Sequence, residues 1–258
     1  MTTFSCKASS SQEWKAITGA IKQLVEVANF SVTPEGLSLV TMDSGPFRMI
    51  EVNWPKAGFE TFECENPFTF SVRTEDFAKF FARSKPQDTV TLSQDQSLQE
   101  GMKVALQATG FQPREFVMHL VEKTKMTDRR LKIDFKSKIV INREDLQSIL
   151  EDAELVAGNV AIACTQGGLT FNASDPAMGS YSYTVMNGES TLVDFKPGPE
   201  KAEGVYNLER LLGMVKLTEL RFAETVFLQI TPGPKPINLV FELNKGGASM
   251  SYYTTPQI

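Results

Sequence analysis

Residues 30–43 have the sequence FSVTPEGLSLVTMD, and residues 162–175, which lie 132 positions later, have the sequence IACTQGGLTFNASD. The two stretches align without a gap and share a threonine, a glycine, a leucine and an aspartate at matching positions. In each, apolar and polar residues alternate on both sides of a glycine-containing turn, a pattern that predicts two antiparallel strands. Because the offset is about half the chain, the sequence indicates two similar domains in tandem.

Helical spacing of apolar residues precedes each of these strand pairs. Residues Trp14 to Ala28 predict a first helix, which a capping box at Ser10–Glu13 would begin. The same offset predicts a third helix with its apolar stripe from Leu146 to Ala153 and Asn142 as its N-cap. The two halves of the chain are therefore expected to start in the same way.

A second helix is predicted late in each half, over residues 74–83 and 207–216, and a strand follows each of them. Each half thus has the order helix, strands, helix, strands. This order favours the α+β class, with two tandem similar domains whose helices pack on one face of antiparallel sheets.

The stretch between the two repeats, residues 122–134, has the sequence EKTKMTDRRLKID and little periodicity. We therefore predict an N-terminal domain over residues 1–121, a connector over 122–134 and a C-terminal domain over 135–258. The composition of the connector favours a solvated linker. A docking strand is the alternative, because Leu131 and Ile133 place two apolar side chains in otherwise polar sequence.

The composition of the 258 residues, 41% hydrophobic and 22% charged, is ordinary for a globular protein. No apolar run is long enough to span a bilayer, and residues 1–7 lack a signal pattern, so we expect an intracellular protein with no membrane partner. The net charge of −5 argues against a nucleic-acid partner. It does not exclude one, because the local distribution of charge matters more than the total.

Catalytic and metal-binding patterns are missing from the sequence. The single histidine, His119, lies in an alternating strand pattern, and no dinucleotide-binding, P-loop or nucleophile-elbow motif is present. The three cysteines, Cys6, Cys64 and Cys164, are far apart and form no CxxC pair. We therefore predict no catalytic residue, no metal site and no cofactor.

Basic residues recur on the predicted helix faces opposite the apolar stripes. The first, second and fourth helices carry such residues, whereas the third begins with Arg143 and continues with acidic residues. Ordinary solvated faces are one explanation. Three helices of four in an acidic protein instead favour sequence-independent contact with phosphates. The basic residues of those three helices are Lys15, Lys22, Lys79, Arg83, Arg210 and Lys216.

The order and spacing of three segments resemble the DNA sliding clamps of the proliferating cell nuclear antigen type. These segments are Phe30–Asp43, GFETFEC at residues 58–64 and YYTTP at residues 252–256, and the resemblance covers essentially the whole chain. It implies a ring of three two-domain subunits whose twelve helices line a central hole for duplex DNA, without catalytic activity. The six basic residues above, together with Arg143, would then face the DNA. The acidic third helix departs from the family.

The family resemblance also implies the partners of the ring. DNA polymerase, flap endonuclease, DNA ligase and the clamp loader would each insert a short peptide into an apolar pocket beside the connector. Many members have a histidine where Pro46 stands here, and an acidic connector where this one is basic. Carried over by position, the pocket would consist of Met42, Pro46, Met49, Leu131, Ile133, Pro236, Tyr253, Thr254, Thr255 and Pro256.

Subunit contacts in the family join an edge strand of one domain to an edge strand of the next subunit. By position these strands would be residues 113–120 and 178–186. The side chains expected at this interface are Phe116, Met118, Leu120, Tyr181, Tyr183 and Val185.

The sequence as a whole predicts a homotrimeric sliding clamp that tethers replication and repair enzymes to DNA. A subunit of a heteromeric replication or checkpoint clamp is the first alternative, and an enzyme on a duplicated α+β scaffold is the second. The segment at residues 58–64 is similar to eukaryotic members and favours the nucleus. Archaeal cytoplasm and a virus-infected cell are the alternative locations.

Overall fold

The computed structural model of the chain describes residues 2–95, 101–124 and 130–257. It divides into two compact units: unit 1 consists of residues 1–130 and 242–250, and unit 2 of residues 131–241 and 251–258. The division between residues 130 and 131 falls inside the predicted connector. The predicted bounds of the domains and of the connector stay predictions.

The described residues 2–124 of unit 1 form nine strands, two α-helices and a short 3-10 helix at Lys56–Gly58. The helices are α1 (Gln12–Ile21) and α2 (Thr74–Ala82). The strands are β1 (Thr2–Ala8), β2 (Val27–Thr33), β3 (Gly36–Met42), β4 (Arg48–Pro55), β5 (Thr61–Cys64), β6 (Phe68–Arg73), β7 (Thr89–Asp95), β8 (Gly101–Gln107) and β9 (Arg114–His119).

Unit 2 repeats this order of elements, with a 3-10 helix at Thr218–Leu220. Its helices are α3 (Arg143–Glu154) and α4 (Leu208–Val215), and the last strand of the chain is β18 (Ser249–Thr254). The other strands are β10 (Ser137–Asn142), β11 (Asn159–Thr165), β12 (Gly168–Asp175), β13 (Gly179–Met186), β14 (Leu192–Lys196), β15 (Ala202–Asn207), β16 (Thr225–Ile230) and β17 (Ile237–Glu242).

The strands of each unit pair antiparallel in two sheets. In unit 1 the orders are β5-β1-β7-β8-β9 and β4-β3-β2-β6. In unit 2 the orders are β13-β12-β11-β15 and β14-β10-β16-β17. The predicted α+β architecture with duplicated halves is confirmed. None of the described helices is both long and apolar enough to cross a bilayer.

The glycine shared by the two repeats has the same structural role in both units. Gly36 begins β3 with φ +147°, and a Cβ there would lie 2.3 Å from the carbonyl oxygen of Trp54. Gly168 begins β12 with φ +158°, and its Cβ would lie 2.3 Å from the carbonyl oxygen of Val185. Because the next strand passes so closely, only glycine fits at either position. The glycine that the two sequence repeats share is therefore explained by the close approach of the next strand's backbone in each unit.

The helices of unit 1 pack through aromatic side chains. The Trp14 ring of α1 stacks on the Phe81 ring of α2, with centroids 5.8 Å apart and planes at 9°. Trp14 also contacts Trp54 of β4, and both tryptophans are fully buried. Large-to-small substitution of such side chains typically costs about 3–5 kcal/mol. These contacts hold the two helices on the sheet and leave their opposite faces to solvent.

The helices of unit 2 pack through aliphatic side chains. The predicted apolar stripes of both helices are buried, from Leu146 to Ala153 in α3 and from Leu208 to Val215 in α4. The side chain of Asn142 caps α3 as predicted, since it accepts hydrogen bonds from the backbone N–H groups of Glu144 and Asp145.

The start and the end of α1 differ from the prediction. The N-cap is Ser11, whose hydroxyl donates to the carbonyl of Lys85 instead of capping the helix. The Ser10 hydroxyl accepts a hydrogen bond from the N–H of Gln12, and not of Glu13, and also bonds the Glu13 side chain, so the predicted capping box forms only in part. The helix ends at Ile21, while Ala28 belongs to β2, where it pairs with Val72. The apolar spacing therefore continued past the true end of the helix, because a turn and the first buried strand position mimicked it.

Candidate nucleic-acid and protein interfaces

Three exposed cations, Lys79 on α2 with Lys22 and Arg83 directly after the ends of α1 and α2, form what we call the basic face of unit 1. Lys79 pairs with Asp76 one turn earlier, at 2.8 Å between Nζ and Oδ1. This hydrogen bond and the lysine charge lower the pKa of the Asp76 carboxyl. Within the described ranges, Lys22 and Arg83 make no ion pair. Lys22 and Arg83 therefore leave this face able to attract anions, whereas Lys79 already has a carboxylate partner.

Lys15 differs from the other basic residues of unit 1. Its ammonium donates to the carbonyl oxygen of Ser84, which lies just past α2, at 2.5 Å. The side chain is half-buried. Lys15 therefore joins α1 to the end of α2. Because its ammonium already donates to a carbonyl, it is less available for contact with a ligand than the exposed lysines are.

Lys216 of unit 2 follows the last residue of α4 and lies beside two carboxylates of α3. Its Nζ is 3.3 Å from Glu151 Oε1 and 3.5 Å from Glu154 Oε2. Glu151 also accepts a hydrogen bond from the amide of Gln147 at 2.9 Å. That bond, with a smaller contribution from Lys216, lowers the pKa of the Glu151 carboxyl. Lys216 is thus exposed but already neutralised within its own unit.

The structure does not support Arg143 as a residue that faces DNA. Its side chain is only 4% exposed, at the start of α3. The guanidinium donates to the carbonyl of Val215 and to the side chain of Gln147. It cannot reach a ligand without leaving these bonds. The sequence shows a basic residue at the start of the helix, but in the folded unit its side chain packs against the end of α4.

Arg210 is half-buried in α4, and its main chain supports the local structure. Its N–H donates to the side chain of the N-cap Asn207 at 3.0 Å. Its carbonyl accepts a hydrogen bond from the Tyr252 hydroxyl at 2.8 Å. These bonds hold the backbone of Arg210 in place and so define the position of its Cα atom.

The pocket residues predicted in unit 1 lie at the hairpin between β3 and β4. The Asp43 carboxylate organises this hairpin by accepting hydrogen bonds from the N–H groups of Phe47 and Arg48 and from Arg48 Nε. Burial raises the pKa of Asp43, but these bonds and the Arg48 charge outweigh it and hold the pKa below its usual value. Met42 is half-buried and Pro46 is exposed.

Met49 does not fit the expectation for a pocket side chain. It is 2% exposed and belongs to the core of unit 1. Strand alternation explains this, since its neighbour Arg48 takes the solvent side at the start of β4. Phe47, which the sequence reasoning missed, is 48% exposed on the same hairpin. A large aromatic residue next to a turn proline was the signal that could have found it.

The pocket residues predicted in unit 2 include the end of the connector. Leu131 and Ile133 are half-buried and alternate with exposed Lys132 and Asp134, as expected for a docked extended segment. The hydroxyl of Thr231 donates to the Asp134 carbonyl at 3.2 Å and holds this segment on unit 2. Within unit 2, residues 131–134 therefore form a segment of alternating burial that this hydrogen bond attaches to the unit, and the docking strand stays a prediction.

The C-terminal residues of the predicted pocket lie in the same unit. Tyr253 and Thr254 are buried, at 8% and 0% exposure, while Pro236, Thr255 and Pro256 are half-buried. The Tyr253 ring stacks on Phe135, with centroids 6.4 Å apart. Phe135 continues the alternation of Leu131 and Ile133, a signal that the sequence reasoning left unused. Tyr253 and Thr254 contribute to the packing of unit 2 before any ligand binds.

Strands β9 and β13 each form the edge of a sheet and, among the described residues, pair on one side only. Phe116 on β9 is 40% exposed and contacts the ring of Phe80 on α2. Tyr183 on β13 is 42% exposed, and Tyr181 and Leu120 are half-buried. Both predicted edge segments are thus edge strands with apolar side chains at the surface.

Two of the residues predicted at the subunit interface belong to the cores instead. Met118 is 5% exposed and Val185 is fully buried, each facing its own unit. Phe116 and Met118 share one strand face, as do Tyr183 and Val185, so exposure changes along each strand and not between its faces. Val117, which is 55% exposed between Phe116 and Met118, is the interface candidate that the prediction missed.

Known proteins similar to this chain share one family. Residues 4–125 match the family described as "Proliferating cell nuclear antigen, N-terminal domain". A DNA polymerase sliding clamp of Nitrosopumilus maritimus is 29% identical, with 99% of each chain covered. A clamp of Cenarchaeum symbiosum is 27% identical over 99% of this chain and 98% of its own length.

Solved structures show the same fold. PCNA of Thermococcus kodakaraensis superposes with a TM-score of 0.89 at 18% identity, covering 99% of this chain and 100% of its own. A. fulgidus PCNA bound to the C-terminal region of FEN-1 has a TM-score of 0.85 at 20% identity, covering 99% of this chain and 98% of its own. The resemblance predicted from the sequence is confirmed.

Proposed function

We propose that this chain is a DNA sliding clamp of the proliferating cell nuclear antigen type and that it closes with two further copies into a ring around duplex DNA. The observation that carries the proposal is that each unit combines a helix pair with a sheet that ends in an edge strand. The relatives that match over 99% of this chain are named DNA polymerase sliding clamps. The function is to keep replication and repair enzymes on their template.

Ring closure follows from edge-strand addition. If β9 of one subunit pairs with β13 of the next, each subunit uses two different edges, so the contact is head-to-tail. Such contacts form closed rings when the rotation between subunits closes. The pairing would also cover Phe116 and Tyr183, whose exposed apolar surface on an unpaired edge otherwise invites aggregation.

The DNA contact that we propose is electrostatic and independent of sequence. Lys22, Lys79 and Arg83 lie on helix faces and can meet phosphates without reading base edges. Such contacts weaken steeply with salt and let a protein slide along the duplex. The chain as a whole has a net charge of −5, and this acidity keeps DNA away from its other surfaces.

Partner enzymes would bind through short peptides at an apolar pocket. We assign to it Leu131 and Ile133 of unit 2, together with Pro236 and residues 253–256 of the same unit. The FEN-1 region bound to A. fulgidus PCNA supports a flap endonuclease as one such partner. DNA polymerase, DNA ligase and the clamp loader are the others that we propose.

Tethering requires no chemical step, so we assign no catalytic residue and no cofactor. The clamp would act wherever the genome is replicated. We propose the nucleus, with archaeal cytoplasm as the alternative, because the relatives named above come from archaea.

The first test is the native mass of the purified chain, measured by light scattering. A homotrimer of a 28.6 kDa chain has a mass of about 86 kDa. A monomer or dimer at micromolar concentration would contradict the homotrimer and favour a subunit of a heteromeric clamp. The second test is retention on DNA after loading: a ring stays on a closed circular duplex and leaves when the DNA is linearised. Equal retention on both forms would contradict encirclement.

A further inference from the structure

The helix pairs of the two units differ in charge. Residues 12–22 and 73–83 of unit 1 together carry five basic and three acidic side chains, a net charge of +2. Residues 143–154 and 208–216 of unit 2 carry three basic and six acidic side chains, a net charge of −3. The two helix pairs occupy equivalent places in the repeat, so a polyanion meets two different surfaces.

The contacts in unit 2 increase this difference. Of its three basic side chains, Arg143 is buried against Val215, and Lys216 lies within 3.5 Å of both Glu151 and Glu154. Arg210 is half-buried. Glu144 and Asp152 are exposed on α3 and add negative charge. A phosphate that approached Lys216 would have to displace two carboxylates that already neutralise it.

We propose that the α3 carboxylates hold Lys216 back from DNA, so that the phosphate contacts of the ring come from the basic face of unit 1. This inference rests on the proposed function, because it names which helices of the clamp meet the duplex. Glu151 and Glu154 thereby weaken DNA contact, and each subunit presents one attracting and one repelling helix pair. A duplex in the ring is then held at three places instead of six, which favours sliding over tight binding.

The test measures affinity of the assembled protein for a fluorescent 30-base-pair duplex by anisotropy, over a series of low salt concentrations. In Glu151→Gln/Glu154→Gln the carboxylates are neutral and the shape is kept. We expect affinity to rise about 3- to 10-fold and the salt dependence to steepen, because a freed Lys216 releases an additional counterion. Adding Lys216→Gln to this variant should return the affinity to near the wild-type value.

A matched control separates the local effect from total charge. Glu60→Gln/Glu203→Gln also removes two carboxylates that pair with lysines, Lys7 and Lys201, but these lie on or beside strands β1, β5 and β15. We expect this control to change affinity less than 2-fold. If it raises affinity as much as the α3 variant does, general charge is responsible and the inference is overturned.

Single substitutions distinguish this inference from the proposed function itself. Lys216→Gln alone should change affinity less than 2-fold, whereas Lys22→Gln/Arg83→Gln should lower it at least 5-fold. A large loss in Lys216→Gln would overturn the masking of Lys216 and leave the clamp function intact. If all variants that still form the ring bind like wild type, the helix faces do not meet DNA, and the assignment of these faces in the proposed function fails as well.

Discussion

The guanidinium of Arg143 donates a hydrogen bond to the main-chain carbonyl of Val215 at 3.2 Å, which joins the start of α3 to the end of α4. A carbonyl at a helix C-terminus has no partner within its helix and carries partial negative charge. A buried cation there satisfies the carbonyl and fixes the spacing of the two helices. Arg143 therefore stabilises the packing of α3 against α4.

Replacement of Arg143 by methionine should destabilise the protein and leave DNA contact unchanged. The loss of a buried, charge-assisted hydrogen bond to a carbonyl typically costs about 1–3 kcal/mol. Urea unfolding measures the free energy, and anisotropy at a temperature where the variant is folded measures DNA affinity. Exposed Arg221, replaced by methionine, is the control and should unfold like wild type. A stable Arg143→Met variant with weakened DNA binding would contradict the structural role.

Tyr183 and Val185, two residues apart on β13, should respond differently to truncation. Tyr183→Ala should shift the trimer toward monomer, because this side chain is 42% exposed on an edge strand. Val185→Ala should instead lower the free energy of unfolding by about 1–3 kcal/mol, since Val185 is fully buried in its own unit. Light scattering and thermal unfolding separate the two effects. Dissociation by Val185→Ala without loss of stability would show that Val185 belongs to the interface and not to the core of its own unit.

The connector residues should determine peptide affinity. Leu131→Ala together with Ile133→Ala should weaken a flap-endonuclease C-terminal peptide by about 2–4 kcal/mol, as expected from the apolar surface lost. Calorimetric titration measures this change. Lys132→Ala, between them and exposed, is the control and should change the affinity little. An unchanged affinity in the double variant would remove the connector from the pocket.

Glu13 should make stability depend on pH. The residue is 3% exposed in α1, and burial raises the pKa of its carboxyl above the usual 4.5, against hydrogen bonds that include one from Asn244. The folded state therefore keeps a proton that the unfolded chain has lost. Its stabilising contribution is complete below about pH 4.5 and is lost as the pH rises through the higher folded value.

The matching experiment compares Glu13→Gln with wild type in urea at pH 4, 5.5 and 7. Glutamine does not ionise, so the variant should gain stability relative to wild type as the pH rises. Glu35→Gln, at an exposed turn position, is the control and should show a much smaller trend. A constant difference between Glu13→Gln and wild type would mean that Glu13 ionises alike in the folded and unfolded states.

Gly168→Ala should destabilise unit 2 strongly. The added Cβ would lie 2.3 Å from the Val185 carbonyl oxygen, at a φ of +158°. Gly188→Ala is a matched control in the same unit, since its φ is +99° but nothing lies within 4 Å of the added atom. Strain of a disfavoured φ alone costs about 1–3 kcal/mol, and Gly168→Ala should exceed its control by a further clash. Equal losses in urea unfolding would mean that β12 relaxes around the new methyl group.

The location of the elements in sequence was predictable because helices and strands leave different periods in the chain. The apolar stripe of α3 follows a period of 3.6 and the repeat strands alternate with a period of two, so each segment indicates its own state. The end of α1 was not predictable in this way. Leu24 and Val25 keep helical spacing, but the chain leaves the helix at Ile21 because β2 must reach its partner β6.

The candidate site was predictable only in part. Lys22, Lys79 and Arg83 are exposed as expected, because they lie opposite an apolar stripe that the sequence displays. Met118 and Val185 were predicted at the interface but are buried, although each shares a strand face with an exposed aromatic residue, because periodicity does not show where along an edge strand the core begins.

The sequence by itself determined the duplication, the α+β class and the family resemblance, since these depend on periodicity and on residues such as Gly36 and Gly168 that only one backbone geometry explains. Only the tertiary structure decided which charges are available. Arg143 and Lys22 are both basic residues at helix termini, yet one is buried against a helix end and the other is exposed. The position of Glu151 and Glu154 beside Lys216 depends on the packing of α3 against α4. Charge pairing across more than 60 residues follows from that packing, and no local pattern in the chain encodes it.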